Sequence, residues 1–195
     1  MVDGYSKHFR PTSAAEAREI VLEIGSKEQS KWEDMHPEGR DELRGLREVT
    51  SKTLDNPTHV LPELLQNADD IGGTCTEVSI ELTEDMLVFR NHEEPMSVEN
   101  VEALGAYTKS TKRGNLDSIG HFGIGFKTVF SLTESVYVHS GLFSFRYSAA
   151  DKTVPEPVAR EELPVKNEKY YDGTTIALPL SSEAQKNRRV ILEET

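Results

Sequence analysis

Leu61 to Ile71 reads LPELLQNADDI, and the fold turns on how this stretch is read. Leu64, Ala68 and Ile71 recur at helical spacing and make one apolar stripe. Glu63, Asn67 and Asp70 recur at the same spacing one residue earlier and make a polar stripe beside it. A helix that rests its apolar stripe on a sheet holds the second stripe along the edge of a pocket. An amide between two carboxylates suits a magnesium-nucleotide site. Asn67 offers a neutral oxygen to a hard cation that keeps most of its waters. Glu63, one turn earlier, is placed to orient or deprotonate a water that attacks a phosphate. The competing reading is a surface helix with ordinary solvated acids.

A second stretch works with the first. Ile119 to Phe130 reads IGHFGIGFKTVF. Gly120, Gly123 and Gly125 make a loop that runs into an apolar helical start, Phe126 to Phe130. Glycines let the backbone approach a polyphosphate closely, and a helix N-terminus offers unpaired N–H groups to an anion. The loop lacks the Lys-Ser/Thr ending of a P-loop. It does not clearly follow a strand, so a dinucleotide fingerprint fits poorly.

In this order, ELLQNADD and GHFGIGF resemble the E-x-x-x-N-x-x-D and glycine-rich lid boxes of the GHKL ATPases. That superfamily includes gyrase B, the ninety-kilodalton heat-shock chaperone, histidine kinases and MutL. GTTIALPL, from Gly173, is similar to the downstream G-T-x-I strand. QNADD, the run Tyr107 to Ser110 and GHFGIGFKTVF are closest to the sacsin and NO VEIN branch. The resemblance covers residues 54–180. It implies a Bergerat fold: an α+β two-layer sandwich with a mixed, mainly antiparallel sheet, helices on one face and a lid loop. It also implies ATP and Mg2+ as ligands. Glu63 would be the catalytic base and Asn67 the metal ligand, with Asp70 beside them. Gly120, His121, Phe122, Gly123, Ile124, Gly125 and Phe126 would form the ribbon around the phosphates. Met96 and Thr174 would line the adenine pocket. The sequence departs from the D-x-G-x-G box: Asn91-His92-Glu93-Glu94-Pro95-Met96 carries Asn91 in place of the aspartate, and neither glycine. An amide still accepts from an adenine amino group and donates to a ring nitrogen, but more weakly than a carboxylate accepts.

Around this centre the 195 residues divide into a helical extension over 1–54, a nucleotide-binding domain over 55–180 and the start of a linker or next domain over 181–195. Ser13 with Glu16 reads as a capping box, followed by the stripe Ala17, Ile20, Val21, Ile24, with Gly25 ending or interrupting the helix. A second amphipathic stretch runs over 41–54. Thr76–Leu82 and Met86–Arg90 read as a hairpin, and Ser97–Leu104 as a short helix. Residues 105–119 read as a polar lid in which Lys109 to Arg113 either meet phosphates or stay solvated, and Lys127 has the same two readings. Glu134–His139 and Leu142–Tyr147 form another hairpin, residues 149–171 a proline-rich connection, and Gly173–Leu180 a strand.

The net charge of −12 disfavours direct nucleic-acid binding by this domain. It fits a halophilic source or a partner with a basic face. The single cysteine, Cys75, excludes an internal disulfide and fits a reducing, cytoplasmic setting. No apolar run reaches membrane-spanning length. The function expected is a Mg2+-dependent ATPase module of a larger sacsin-like or chaperone-like protein, in which ATP closes the lid and drives homodimerisation or a movement of other domains. The alternatives are a module that senses nucleotide without hydrolysis and an ATPase of the MutL or MORC type.

Overall fold

The computed structural model describes residues 6, 8–39, 41, 56–70, 75–105, 125–165 and 173–193. The second amphipathic stretch over 41–54, the polar lid and Gly120 to Ile124 lie outside the described residues, apart from Asp41 and Gly105. Helix α1 spans Ala14–Asp34, and a 3-10 turn (Pro57–His59) leads straight into α2 (Val60–Asp70). Strands β1 (Glu77–Leu82) and β2 (Met86–His92) come next, then α3 (Val98–Gly105) and a 3-10 helix (Gly125–Ser131). Strands β3 (Ser135–Ser140), β4 (Phe143–Ser148), β5 (Glu156–Pro157) and β6 (Thr174–Pro179) precede the short helices α4 (Ser182–Lys186) and α5 (Arg188–Glu193).

The six strands form one sheet in the order β1-β2-β6-β3-β4-β5, and every described ladder is antiparallel. The register sorts side chains by face. One row runs Ile80, Phe89, Ile176, Val138, Phe145, and the next toward the β2 C-terminus runs Val78, Asn91, Thr174, Ser140, Phe143. These rows share a face because residues two apart on a strand point the same way. Phe89, Ile176, Val138, Phe143 and Phe145 join a single core with Ile20 and Ile24 of α1, Leu61, Leu64 and Ala68 of α2, and Val101 and Leu104 of α3. The helices therefore cover one face, and the molecule is an α+β two-layer sandwich. The other face is polar: Arg90 on β2 pairs with Glu81 at 3.1 Å, and Arg146 on β4 with Glu156 at 2.7 Å.

Several boundaries differ from the sequence reading, each for a physical reason. Helix α1 passes through Gly25 without a break. A Cβ there would lie 2.9 Å from the Pro155 carbonyl oxygen, so the glycine lets the helix close on the segment between β4 and β5. Ser13 Oγ accepts from the Glu16 amide at 3.1 Å, but the Glu16 carboxylate turns to Thr12, whose amide it meets at 2.7 Å. Strand β2 runs past Arg90 to His92, because its ladder with β6 continues to the pair Asn91–Thr174. Gly125–Ser131 is a 3-10 helix rather than an α-helical start. Thr128 Oγ1 donates to the Gly125 carbonyl and Ser131 Oγ to the Thr128 carbonyl, both at 2.8 Å, which supports the tighter turn. The connection after β4 contains β5, a strand that Pro157 can join because it lies at the sheet edge. The β3–β4 hairpin turns at Gly141-Leu142, with Gly141 at φ 59°.

Candidate functional site

The polar stripe of α2 stands beside Gly125, the first residue of the 3-10 helix. Leu61, Leu64 and Ala68 are buried, which fixes the rotation of the helix and leaves Glu63 and Asn67 half-buried, one turn apart on the adjoining edge. Asp70 is the last residue of the same helix. The α2 helix packs on the 3-10 helix, and the contact is closest at Gly125. A Cβ on Gly125 would lie 1.8 Å from Glu63 Oε2 and 2.7 Å from its carboxyl carbon. No side chain larger than hydrogen fits there while Glu63 keeps its position. The last glycine of the ribbon is thus pressed against the carboxylate that the sequence singles out.

Phe126 follows Gly125 but turns its ring into the core, edge-on to Tyr147 at 6.1 Å between centroids. Its backbone, not its ring, is the part next to Glu63. Lys127 does not reach outward to phosphates. It is fully buried, with Nζ donating to the Leu104 carbonyl at 2.8 Å and to the Lys152 carbonyl, and it stands 4.8 Å from the centroid of the Tyr147 ring. The lysine ties the C-terminal end of α3 to the 3-10 helix, a structural role.

At the far end of the sheet, Asn91 and Thr174 are paired across β2 and β6, and both are buried on the helix-covered face. Gly173 makes this junction possible: a Cβ there would lie 2.1 Å from the Asn91 carbonyl oxygen. Ser140 Oγ lies 2.8 Å from Thr174 Oγ1 and accepts from the Met96 amide at 2.9 Å. The Met96 side chain is buried in the core. The stretch between β2 and α3 is pinned from outside by Arg10, which donates from Nε to the Pro95 carbonyl at 2.8 Å and pairs with Glu94 at 2.6 Å.

One residue of this stretch was not assigned from sequence. Glu93 is only 4% exposed and its carboxylate oxygens are shielded from water, with no partner in good hydrogen-bond geometry and only the Asn91 and Thr174 side chains close enough to help. Burial pushes its pKa up from 4.5 to about 7, opposed by the neighbouring Asn91 and Thr174 side chains. The signal was present in the alternation Phe89, Asn91, Glu93, which continues the helix-covered face of β2 beyond its last residue. Glu94, its neighbour in sequence, is exposed and ion-paired.

Chemically, one side of this arrangement offers a carboxylate and an amide beside a glycine backbone. The other offers a buried acid, an amide and a hydroxyl. Among the described residues no three His, Cys, Asp or Glu side chains converge on a metal-sized gap. The half-buried Asn67 amide suits a Mg2+ ion held mostly by water and phosphate oxygens, which needs few protein ligands. Two cavities of about 480 and 410 Å³ occur among the described residues. Neither is lined by Glu63, Asn67, Asn91 or Thr174. The second is lined by Arg18, Arg160 and His139, whose pKa is held below 6.5 by burial and by the Arg160 charge.

No protein-family model matches the chain. The chain is 32% identical over 114 residues to Protein NO VEIN of Arabidopsis thaliana. The match takes in 55% of this chain and 4% of that protein. The likeness links the two over that segment. Among the described residues no helix is long and apolar enough to cross a membrane.

Proposed function

We propose that this chain carries a Mg2+-dependent ATP-binding and ATP-hydrolysing site of the GHKL type, serving as the nucleotide-driven module of a larger chaperone-like protein. The observation that carries the reading is the seat of the Glu63 carboxylate directly on Gly125, with the Asn67 amide one helical turn away. In this reading Glu63 orients a water in line with the terminal phosphorus and takes its proton as the new P–O bond forms and the bond to the β-phosphate oxygen breaks. Asn67 contributes one oxygen to Mg2+, which neutralises the phosphate charge when bound. Asp70 stands at the end of the same stripe, and backbone N–H groups of the ribbon from Gly120 to Phe126 surround the phosphates. Asn91 and Thr174 face the base. ATP binding then closes the lid and promotes either homodimerisation or movement of neighbouring domains.

A second reading, nucleotide binding without turnover, is favoured by Asn91, a neutral amide where the family's aspartate would stand. Calorimetric titration with ATP, ADP and GTP in Mg2+, followed by phosphate release, separates the two. Binding with release that Glu63→Ala abolishes supports the ATPase. Binding without release supports the sensor. Absence of binding to all three nucleotides refutes both.

A further inference from the structure

The 410 Å³ cavity shares no residue with the site built around Glu63, and its charge runs against that of the chain. The net charge is −12, yet the lining holds two arginines, Arg18 and Arg160, against one acid, Glu161. The 480 Å³ cavity is the reverse, with Glu134 and Glu183 in its lining and neither lysine nor arginine. Among the described residues no acid pairs with Arg18.

Three segments distant in sequence bring this charge together. Arg18 comes from the N-terminal end of α1, His139 from β3, and Arg160 and Glu161 from the 3-10 turn after β5. Ala14 and Ala15 line the cavity as well, ahead of the amides that Ser13 satisfies, Glu16 through its hydroxyl and Ala17 through its carbonyl. The amides of Ala14 and Ala15 have no acceptor within the helix and add donors to the arginines. Half-buried His139 forms part of the wall. Ser144 Oγ lies 2.8 Å from its Nδ1, and Nε2 is shielded from water, so the ring senses charge in the cavity without binding through a nitrogen. Burial and the Arg160 charge hold its pKa down, opposed by the Phe143 carbonyl. Tyr137 and Thr175 are its neighbours on the same sheet face.

We propose that this cavity binds a phosphate monoester, with the guanidinium groups of Arg18 and Arg160 on the phosphate oxygens and the carbon body of the ester against Leu142 and Val158. The assignment is independent of the nucleotide reading. A phosphate dianion matches two cations and offers three terminal oxygens to donors from α1 and the 3-10 turn. A carboxylate offers one charge and two oxygens. Leu142 is 43% exposed and Val158 half-buried, so an apolar group beside the phosphate finds surface to cover. Glu161 opposes any anion by repulsion. The bound dianion offsets the Arg160 charge at His139, so binding raises the pKa of the ring.

The test is NMR titration of the unaltered chain, without nucleotide, with inorganic phosphate, phenyl phosphate and benzoate. The probe is the His139 ring signal, identified by its loss in His139→Gln and followed across pH with and without each anion. Phenyl phosphate should bind about three- to tenfold tighter than inorganic phosphate and should move the His139 titration to higher pH, with benzoate weakest. Arg18→Gln, at an exposed position on α1, should weaken phenyl phosphate by about three- to tenfold. Arg160→Gln should weaken it similarly and should also raise the His139 titration in the absence of any anion. Glu161→Gln should tighten binding. A His139 titration unmoved by either phosphate, benzoate binding as tightly as phenyl phosphate, or unchanged affinity in both arginine variants overturns the proposal. Equal affinity for inorganic phosphate and phenyl phosphate overturns the assignment to an ester. None of these results bears on whether ATP binds beside Glu63.

Discussion

Replacing Glu93 by glutamine should make the protein more stable in alkali and leave it nearly unchanged in acid. The unfolded chain releases this proton near pH 4.5, whereas the folded chain holds it until about pH 7 because burial disfavours the ionised group by more than Asn91 and Thr174 offset. Between those values the folded state binds more protons than the unfolded state, so stability falls as pH rises. The contribution is fully present below 4.5 and fully lost above about 7. At about 1.4 kcal/mol per pH unit the loss comes to about 3 kcal/mol. For a chain of this length, about 3 kcal/mol corresponds to a melting shift of about 6–12 °C. Glutamine keeps the shape and cannot ionise. The assay is paired urea or thermal unfolding of the two proteins from pH 4 to 9, read as the difference between them so that all other titrating groups cancel. The difference should open between pH 4.5 and 7 and then level off. Parallel curves across the range would show that the carboxylate is solvated or strongly paired in the folded chain.

Gly125→Ala should force Glu63 off its seat, because the new methyl would stand 1.8 Å from Oε2; phosphate release should fall at least tenfold, while a folded circular dichroism spectrum would separate this from collapse. Glu63→Ala should retain nucleotide and lose turnover, whereas Asn67→Ala should lose the Mg2+-dependent part of binding, both read by calorimetry and phosphate release. Lys127→Met leaves the Leu104 and Lys152 carbonyls without their buried donor and should cost about 1–3 kcal/mol in urea unfolding; an unchanged midpoint would deny the lysine its structural role. His139 should titrate below 6.5 by NMR and remain neutral at that pH. Because its folded-state pKa is depressed, its contribution to stability is lost as the solution is acidified, opposite in sign to that of Glu93.

The α2 stretch was legible because its two stripes are encoded by spacing alone. Leu64 and Ala68 must bury together on any helix, and that rotation puts Glu63 and Asn67 on one edge. The strands were legible for the same reason, since alternation in Val78, Ile80 and Leu82 needs no partner to be read. Their ends were not, because the length of β2 is set by where β6 stops pairing with it. Gly125–Ser131 was legible as a helical start but not as a 3-10 helix, because hydroxyl bonds to local carbonyls, not apolar spacing, choose the tighter turn. Lys127 reads from sequence as a solvated cation, and only the meeting of α3, β4 and the 152 loop buries it.

Sequence by itself determined the helix faces, the strand alternation, the capping of α1 and the proximity in order of two boxes that resemble a nucleotide site. These depend on interactions within a few residues. Tertiary structure alone decided that Glu63 lies on Gly125, that Asn91 stands opposite Thr174, and that Glu93 is sealed from water. Each of those facts joins segments far apart in the chain, and burial of a charge is a property of what surrounds it.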